Sequence, residues 1–210
     1  MAEKLALNIH EFETFKNEAA TVLDLRPGND FAQSFIPDSI NIELDEHFNE
    51  YSKYFFFKDQ LLILICENGK EEISIKQLQR LKFTNVRGYL AGGFKTWIKH
   101  NGKLDVIISI DAEELELEIK YGSLNLYDIR NEKNFSVKHV ENSENIDLDL
   151  LIENTDLMDS QTLSCFYCED GKLSMSLISY LRSKNIHLVY HVKDGFKSIQ
   201  ANPGIILKSG

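Results

Sequence analysis

The sequence predicts an α/β protein built as two tandem copies of one unit, each a parallel β-sheet flanked by helices on both faces. Two observations carry this. The chain repeats itself: Asp24, Arg26, Phe31, Ser39, Asn41 and Ile42 recur as Asp128, Arg130, Phe135, Ser143, Asn145 and Ile146, and Cys66, Glu67, Gly69 and Lys70 recur as Cys168, Glu169, Gly171 and Lys172. Gly93-Phe94-Lys95 returns as Gly195-Phe196-Lys197. The first set is offset by 104 residues and the others by 102, so a two-residue deletion in the intervening loop reconciles them. Within each copy, strand and helix signals alternate at short spacing, the pattern of a parallel sheet with crossover helices.

The elements follow in order. Asn8 with Glu11, and Asp111 with Glu114, form capping boxes that open a helix in each copy, the second ending near Gly122. Val22–Leu25 and Leu124–Ile129 read as strands. Leu61–Ile65 is apolar at every position, as a strand covered on both faces should be, and Leu163–Tyr167 is its weaker counterpart. Leu173, Leu177 and Leu181 then form a helical stripe. Val86–Leu90 and Leu188–Val192 read as further strands. The boundary falls in the polar stretch His100–Asp105, giving domains 1–104 and 105–210, each large enough for its own core.

Composition narrows the function classes. The chain has 210 residues and a formal net charge of −10. Residues 1–104 carry 13 Lys and Arg against 15 Asp and Glu, net −2; residues 105–210 carry 10 against 18, net −8. Such a surface argues against nucleic acid. Three cysteines do not make a disulfide scaffold and fit a reducing compartment. With no apolar run long enough to span a membrane and no basic-then-apolar leader pattern, the expected location is the cytoplasm. Cys165 and Cys168 form a C-x-x-C, in which Cys165 reads as a small core residue of a strand. Trp97 reads as core, and His139 as a surface or packing residue. His187 and His191 sit in strand-like sequence, where an i,i+4 spacing does not converge on a metal, so no metal and no cofactor is expected.

Cys66 and Cys168 are the candidate reactive groups. Each follows a predicted buried strand and precedes a predicted helix, at the carboxyl end of the sheet where open α/β folds place their ligands. The loops Glu67, Asn68, Gly69, Lys70, Glu71, Glu72 and Glu169, Asp170, Gly171, Lys172, Leu173, Ser174 would turn their backbone N–H groups inward. Such a cradle is expected to stabilise a thiolate and draw the thiol pKa down from about 8.5 toward neutrality, and it would equally hold a persulfide.

The set Asp24-Leu25-Arg26, Phe31 and Ser34–Ile42, with Asn85–Trp97 downstream, resembles the signature of rhodanese domains. The resemblance covers nearly the whole chain, once per half. It implies tandem rhodanese-like domains and sulfurtransferase chemistry, with Cys66 and Cys168 as sulfur-accepting nucleophiles. It implies a sulfur donor and a thiol or protein acceptor as partners, and makes Asp24, Arg26, Asp128 and Arg130 structural or site-flanking charges. Buried ion pairing is the expected role of those four. Family loops often read C-x-x-G-x-R-S; here neither copy has the arginine, Ser174 fits the last position and Glu72 does not. Lys70 and Lys172 are the nearest replacements for the missing cation. The acidic loop residues oppose an anionic donor, since one charge contact at 4 Å is worth on the order of 4 kcal/mol at an effective dielectric near 20. A neutral or protein-bound donor is therefore expected. The alternative is a rhodanese-like module kept for protein interaction. A phosphatase is disfavoured, because the arginine of its C-x5-R loop is absent at both 72 and 174.

Overall fold

Asn8 and Asp111 start helices because their side chains accept from the amides of Glu11 and Glu114, at 3.0 and 2.8 Å, while the two glutamates accept in return from the cap amides. Each box satisfies donors that a helix start leaves open. The computed structural model describes residues 5–155, 158 and 161–210.

The first copy runs β1 (Ala6–Leu7), α1 (Ile9–Asn17), β2 (Thr21–Asp24), α2 (Gly28–Gln33), β3 (Ile40–Asn41), α3 (Phe48–Phe55), β4 (Leu62–Ile65), α4 (Glu71–Arg80), β5 (Val86–Leu90) and α5 (Gly93–Lys99). The second runs β6 (Ser109–Ile110), α6 (Ala112–Tyr121), β7 (Asn125–Asp128), α7 (Glu132–Val137), β8 (His139–Val140), β9 (Glu144–Asn145), α8 (Leu148–Glu153), β10 (Ser164–Tyr167), α9 (Lys172–Ser183), β11 (Val189–Val192), α10 (Gly195–Ile199) and β12 (Leu207–Lys208). Contacts divide the chain into one unit ending at Val106 and another from Ile107 to Gly210.

Each unit holds a five-stranded sheet in which every pairing is parallel, ordered β1-β5-β4-β2-β3 and β6-β11-β10-β7-β9. All four residues of β4 and of β10 are buried, as central strands covered on both faces must be. Strand alternation sends Ile63 and Ile65 into a cluster with Ile9, Phe12, Phe94 and Trp97, and Leu62 and Leu64 to the opposite face. Each such side chain stabilises the unit by roughly 1.5–3 kcal/mol. Cys165 is fully buried in the corresponding cluster of the second unit. The sequence reading named the longer strands and helices and left out the shorter elements, among them β3, α3, α8 and the two-residue β12, which pairs antiparallel with β8 and is too short to show a period of its own. Among the described residues, no helix is long and apolar enough to cross a membrane.

Candidate active sites around Cys66 and Cys168

Both cysteines are the first residue beyond the central strand of their unit, after β4 and after β10. The chain then bends through Gly69 (φ +87°) and Gly171 (φ +84°), in the left-handed region open to glycine, and enters α4 or α9. A second glycine in each unit has a different job. A Cβ on Gly93 would lie 2.7 Å from the Cys66 carbonyl oxygen, and one on Gly195 would lie 2.4 Å from the Cys168 carbonyl oxygen. These glycines let the cysteine loop rest on the start of α5 or α10. In the second unit the Phe196 amide donates to the Cys168 carbonyl at 2.7 Å and the Lys197 amide to that of Glu169 at 3.1 Å. The repeated Gly-Phe-Lys is therefore the seat of the cysteine loop.

The repeated Asp-x-Arg is a buried two-pronged ion pair. Arg26 Nε and Nη2 donate to the Asp24 carboxylate at 3.0 and 2.7 Å, and Nη2 also donates to the Ser34 carbonyl. Arg130 does the same with Asp128, at 3.0 and 2.7 Å, and with the Lys138 carbonyl. Each guanidinium carbon sits 3.7 Å from the ring centre of Phe94 or Phe196. Asn41 and Asn145 donate to the carbonyls of both partners of their pair. The six residues matched at the larger offset thus include a complete buried network, which fixes the strand ends beside each cysteine.

The sulfurs are where the two copies part. Both residues are only 3 % exposed. Around Cys168 the Ser174 amide donates to Sγ at 3.4 Å, the Ser174 hydroxyl lies 3.6 Å away, and the Asp170 amide points the same way. Among the described residues, no backbone amide donates to the Cys66 sulfur; the Ser74 hydroxyl is its one favourable partner. The expected lowering of the thiol pKa does not occur in either resting site. Burial pushes Cys66 up to about 12, with the carboxylates of Glu71 and Asp24 adding to it and Ser74 opposing. Burial also pushes Cys168 up, against the two Ser174 donors and the Asp170 amide. Desolvation outweighs the loop dipoles once the sulfur has left water.

The sequence pattern of the rhodanese-like domain matches residues 8–100 and again 111–202. The chain belongs to the rhodanese-like family. Among solved structures, the thiosulfate sulfurtransferase from Pseudomonas aeruginosa is similar over 99% of this chain and 44% of its own, at 18% identity and a TM-score of 0.42. The rhodanese-related protein from Thermoplasma volcanium is similar over 49% of this chain and 99% of its own, at 22% identity and a TM-score of 0.44. The rhodanese-like domain protein from Staphylococcus aureus covers 49% and 100%, at 20% identity and 0.43. Comparison with curated protein sequences gives no match.

The rhodanese-like loops carry their acidic residues in distinct ways. In the first unit Lys70 pairs with Glu67, the Glu71 carboxylate accepts from the Gly69 amide at 2.8 Å, and Glu72 is exposed beside Lys76. Lys70 is thus held by a neighbour instead of facing an incoming anion, and Glu71 and Glu72 sit where a helix start favours negative charge. Asn68 helps line an open cavity of about 520 Å³ beside Cys66, with Arg26, Ser34, Phe94 and Lys95. In the second unit Glu169 lies 3.5 Å from Arg130 Nη1. The Asp170 carboxylate accepts from the Lys172 amide at 3.2 Å, and Leu173 is half-buried.

Two residues near Cys168 were not read as site residues from the sequence, where His191 figured only as a strand histidine without a metal. His191 is 4 % exposed on β11, with Nδ1 3.4 Å from the Ser174 hydroxyl and Nε2 2.8 Å from the Ser109 hydroxyl. A histidine inside an otherwise buried strand was the available signal; Ser109 carried none. Among the described residues, no group of three or more His, Cys, Asp or Glu side chains is placed to hold a metal ion.

Proposed function

We propose that this chain is a sulfurtransferase or sulfur carrier that works through a persulfide on Cys168. The observation that carries the reading is the pair of amides aimed at the Cys168 sulfur, those of Ser174 and Asp170, with the Ser174 hydroxyl beside them, which accepts from the thiol at rest and can donate to the thiolate once it forms. Donors so placed hold negative charge when it forms there, on the thiolate and on the terminal sulfur of the persulfide. Once ionised, Sγ attacks the sulfane sulfur of the donor. An S–S bond to Cys168 forms and the donor's own bond to that sulfur breaks, its electron pair leaving with the rest of the donor. An acceptor nucleophile then attacks the terminal sulfur, and Cys168 leaves as thiolate. Glu169 and Asp170 at the loop disfavour a small dianion, so a neutral or protein-borne donor fits best.

Exposing the protein in turn to a small alkyl persulfide and to thiosulfate, then weighing its peptides, tests this. The Cys168 peptide should gain one sulfur, more readily from the persulfide, and Cys168→Ser should abolish transfer. Absence of any gain on Cys168 sinks the reading. For the first unit a binding role is favoured by the cavity beside Cys66 and by Glu72 turned to solvent in the place of Ser174. Cys66→Ser should then leave sulfur transfer intact.

A further inference from the structure

The Cys168 thiol must lose a proton before it reacts, yet it is shut away from water. The Asp170 carboxylate, 3.9 Å from Sγ and held by the Lys172 amide, is one place for that proton, and the other groups around the sulfur form a line leading outward. Cys168 Sγ lies 3.6 Å from Ser174 Oγ, Ser174 Oγ lies 3.4 Å from His191 Nδ1, and His191 Nε2 lies 2.8 Å from Ser109 Oγ. Ser174 is fully buried and His191 nearly so, whereas Ser109 is half-exposed on the edge strand β6. The line thus runs from a buried sulfur to the surface.

We propose that Ser174, His191 and Ser109 form the exit route for the Cys168 thiol proton. The inference rests on the reading of Cys168 as the nucleophile. The protons balance as follows. At rest the thiol donates to the Ser174 hydroxyl, that hydroxyl donates to Nδ1, and Nε2–H donates to Ser109. On ionisation each proton moves one place: from sulfur to Ser174, from Ser174 to Nδ1, from Nε2 to Ser109, and from Ser109 to water. The imidazole is neutral before and after and has only exchanged tautomers, while the Ser174 hydroxyl now donates to the thiolate. No imidazolium need persist in the interior, which suits a histidine that burial holds down to about 4. The polar groups facing His191 are the Ser109 hydroxyl from β6, the Ser174 hydroxyl from α9 and, beyond it, the Cys168 thiol; burial is the cause of its low pKa, with no charged neighbour contributing. The Gly171 carbonyl, 3.1 Å from Ser174 Oγ, is the competing place for the hydroxyl proton.

The first unit supports the assignment: the three counterpart positions hold other residues, and the hydroxyl beside Cys66 is that of Ser74, which donates to the Lys70 carbonyl at 2.7 Å. Strand register puts Tyr89 opposite Leu64 where His191 lies opposite Phe166, and Ala6 opposite Tyr89 where Ser109 lies opposite His191. Glu72 replaces Ser174 in the loop. The three positions differ together, and the Cys66 sulfur lacks the amide donors as well.

The test is the rate of Cys168 alkylation by iodoacetamide from pH 7 to 11, followed peptide by peptide in the full chain. Ser109→Ala removes the half-exposed end and leaves the buried members in place; His191→Gln removes the tautomer exchange and keeps a polar side chain. In the ionised state Ser109 donates to Nε2, Nδ1–H to Ser174 and Ser174 to the thiolate, so each variant weakens the hold on the thiolate as well as the route, and each should slow Cys168 at pH 8 about tenfold or more and move its pH midpoint upward, with Cys66 unchanged as the internal reference. Purely structural damage would speed Cys168 by exposing it. Profiles of Cys168 in folded Ser109→Ala superimposable on the unsubstituted protein would overturn the proposal, whether or not His191→Gln folds. Alkylation needs no sulfur donor, so a failed persulfide assay with shifted profiles would reject the transfer reading and keep the route.

Discussion

Replacing Gly93 with alanine puts the seating of the cysteine loop to the test. Gly93 has φ +60°, and its added Cβ would meet the Cys66 carbonyl oxygen at 2.7 Å, a backbone atom that cannot swing aside. Gly69 is the matched control: φ is +87° and nothing lies within 4 Å of the added carbon. Both substitutions carry the left-handed strain of a residue with a Cβ, about 1–2 kcal/mol. Only Gly93→Ala adds overlap, at the roughly 1–3 kcal/mol typical of overpacking. Trp97, the single tryptophan, is buried in the same unit and donates to the Lys103 carbonyl, so its fluorescence reports this unit alone. With a urea slope of about 1–3 kcal/mol/M, Gly93→Ala should unfold at a midpoint roughly 1 M below Gly69→Ala. Equal midpoints for the two variants would refute the claim that Gly93 is required by the backbone of the Cys66 loop.

Asp128→Asn should destabilise the second unit by about 3–5 kcal/mol, because it leaves the guanidinium of Arg130 buried without its carboxylate; thermal unfolding followed by circular dichroism reads this, and a loss below about 1 kcal/mol would count against the buried pair. Asn145→Ala, which orphans the carbonyls of Asp128 and Arg130, should cost about 1–3 kcal/mol by the same measurement. Cys66, pushed up to about 12, should alkylate at pH 8 about a thousandfold more slowly than a free thiol, and a rate near that of glutathione would show the burial to be wrong. His191 is held near 4 in the native chain against about 6.5 unfolded, so between these values the unfolded chain takes up a proton that the native one refuses. Stability is then fully present above about 6.5 and falls by about 3 kcal/mol as pH drops to 4, a component that His191→Gln should lack; identical pH slopes of urea midpoint for the two proteins would contradict it.

Much of the fold is written locally. The capping boxes at Asn8 and Asp111, the unbroken apolar run ending at Ile65 and the leucine stripe from Leu173 each specify an element from neighbouring residues, and repetition tied the two halves together. The Asp-x-Arg pairs were also readable, because partners two residues apart at a strand end have few other places to go. The reactivity of the sulfurs was not. A loop sequence shows that amides are available, while the balance between those amides and the lost water depends on how completely other elements cover the sulfur.

By itself, then, the sequence determined a doubled α/β chain with a cysteine at the carboxyl end of each central strand, since period, caps and glycine positions are local properties. Only the tertiary structure decided that Cys168 has amide donors and a line of hydroxyls and imidazole leading outward while Cys66 has the Ser74 hydroxyl alone. Ser109 and His191 stand 82 residues apart, and they meet because β6 and β11 pair in one particular register. Shifting a strand by one residue sends every side chain to the opposite face, so that meeting is a property of the sheet and of no shorter stretch of chain.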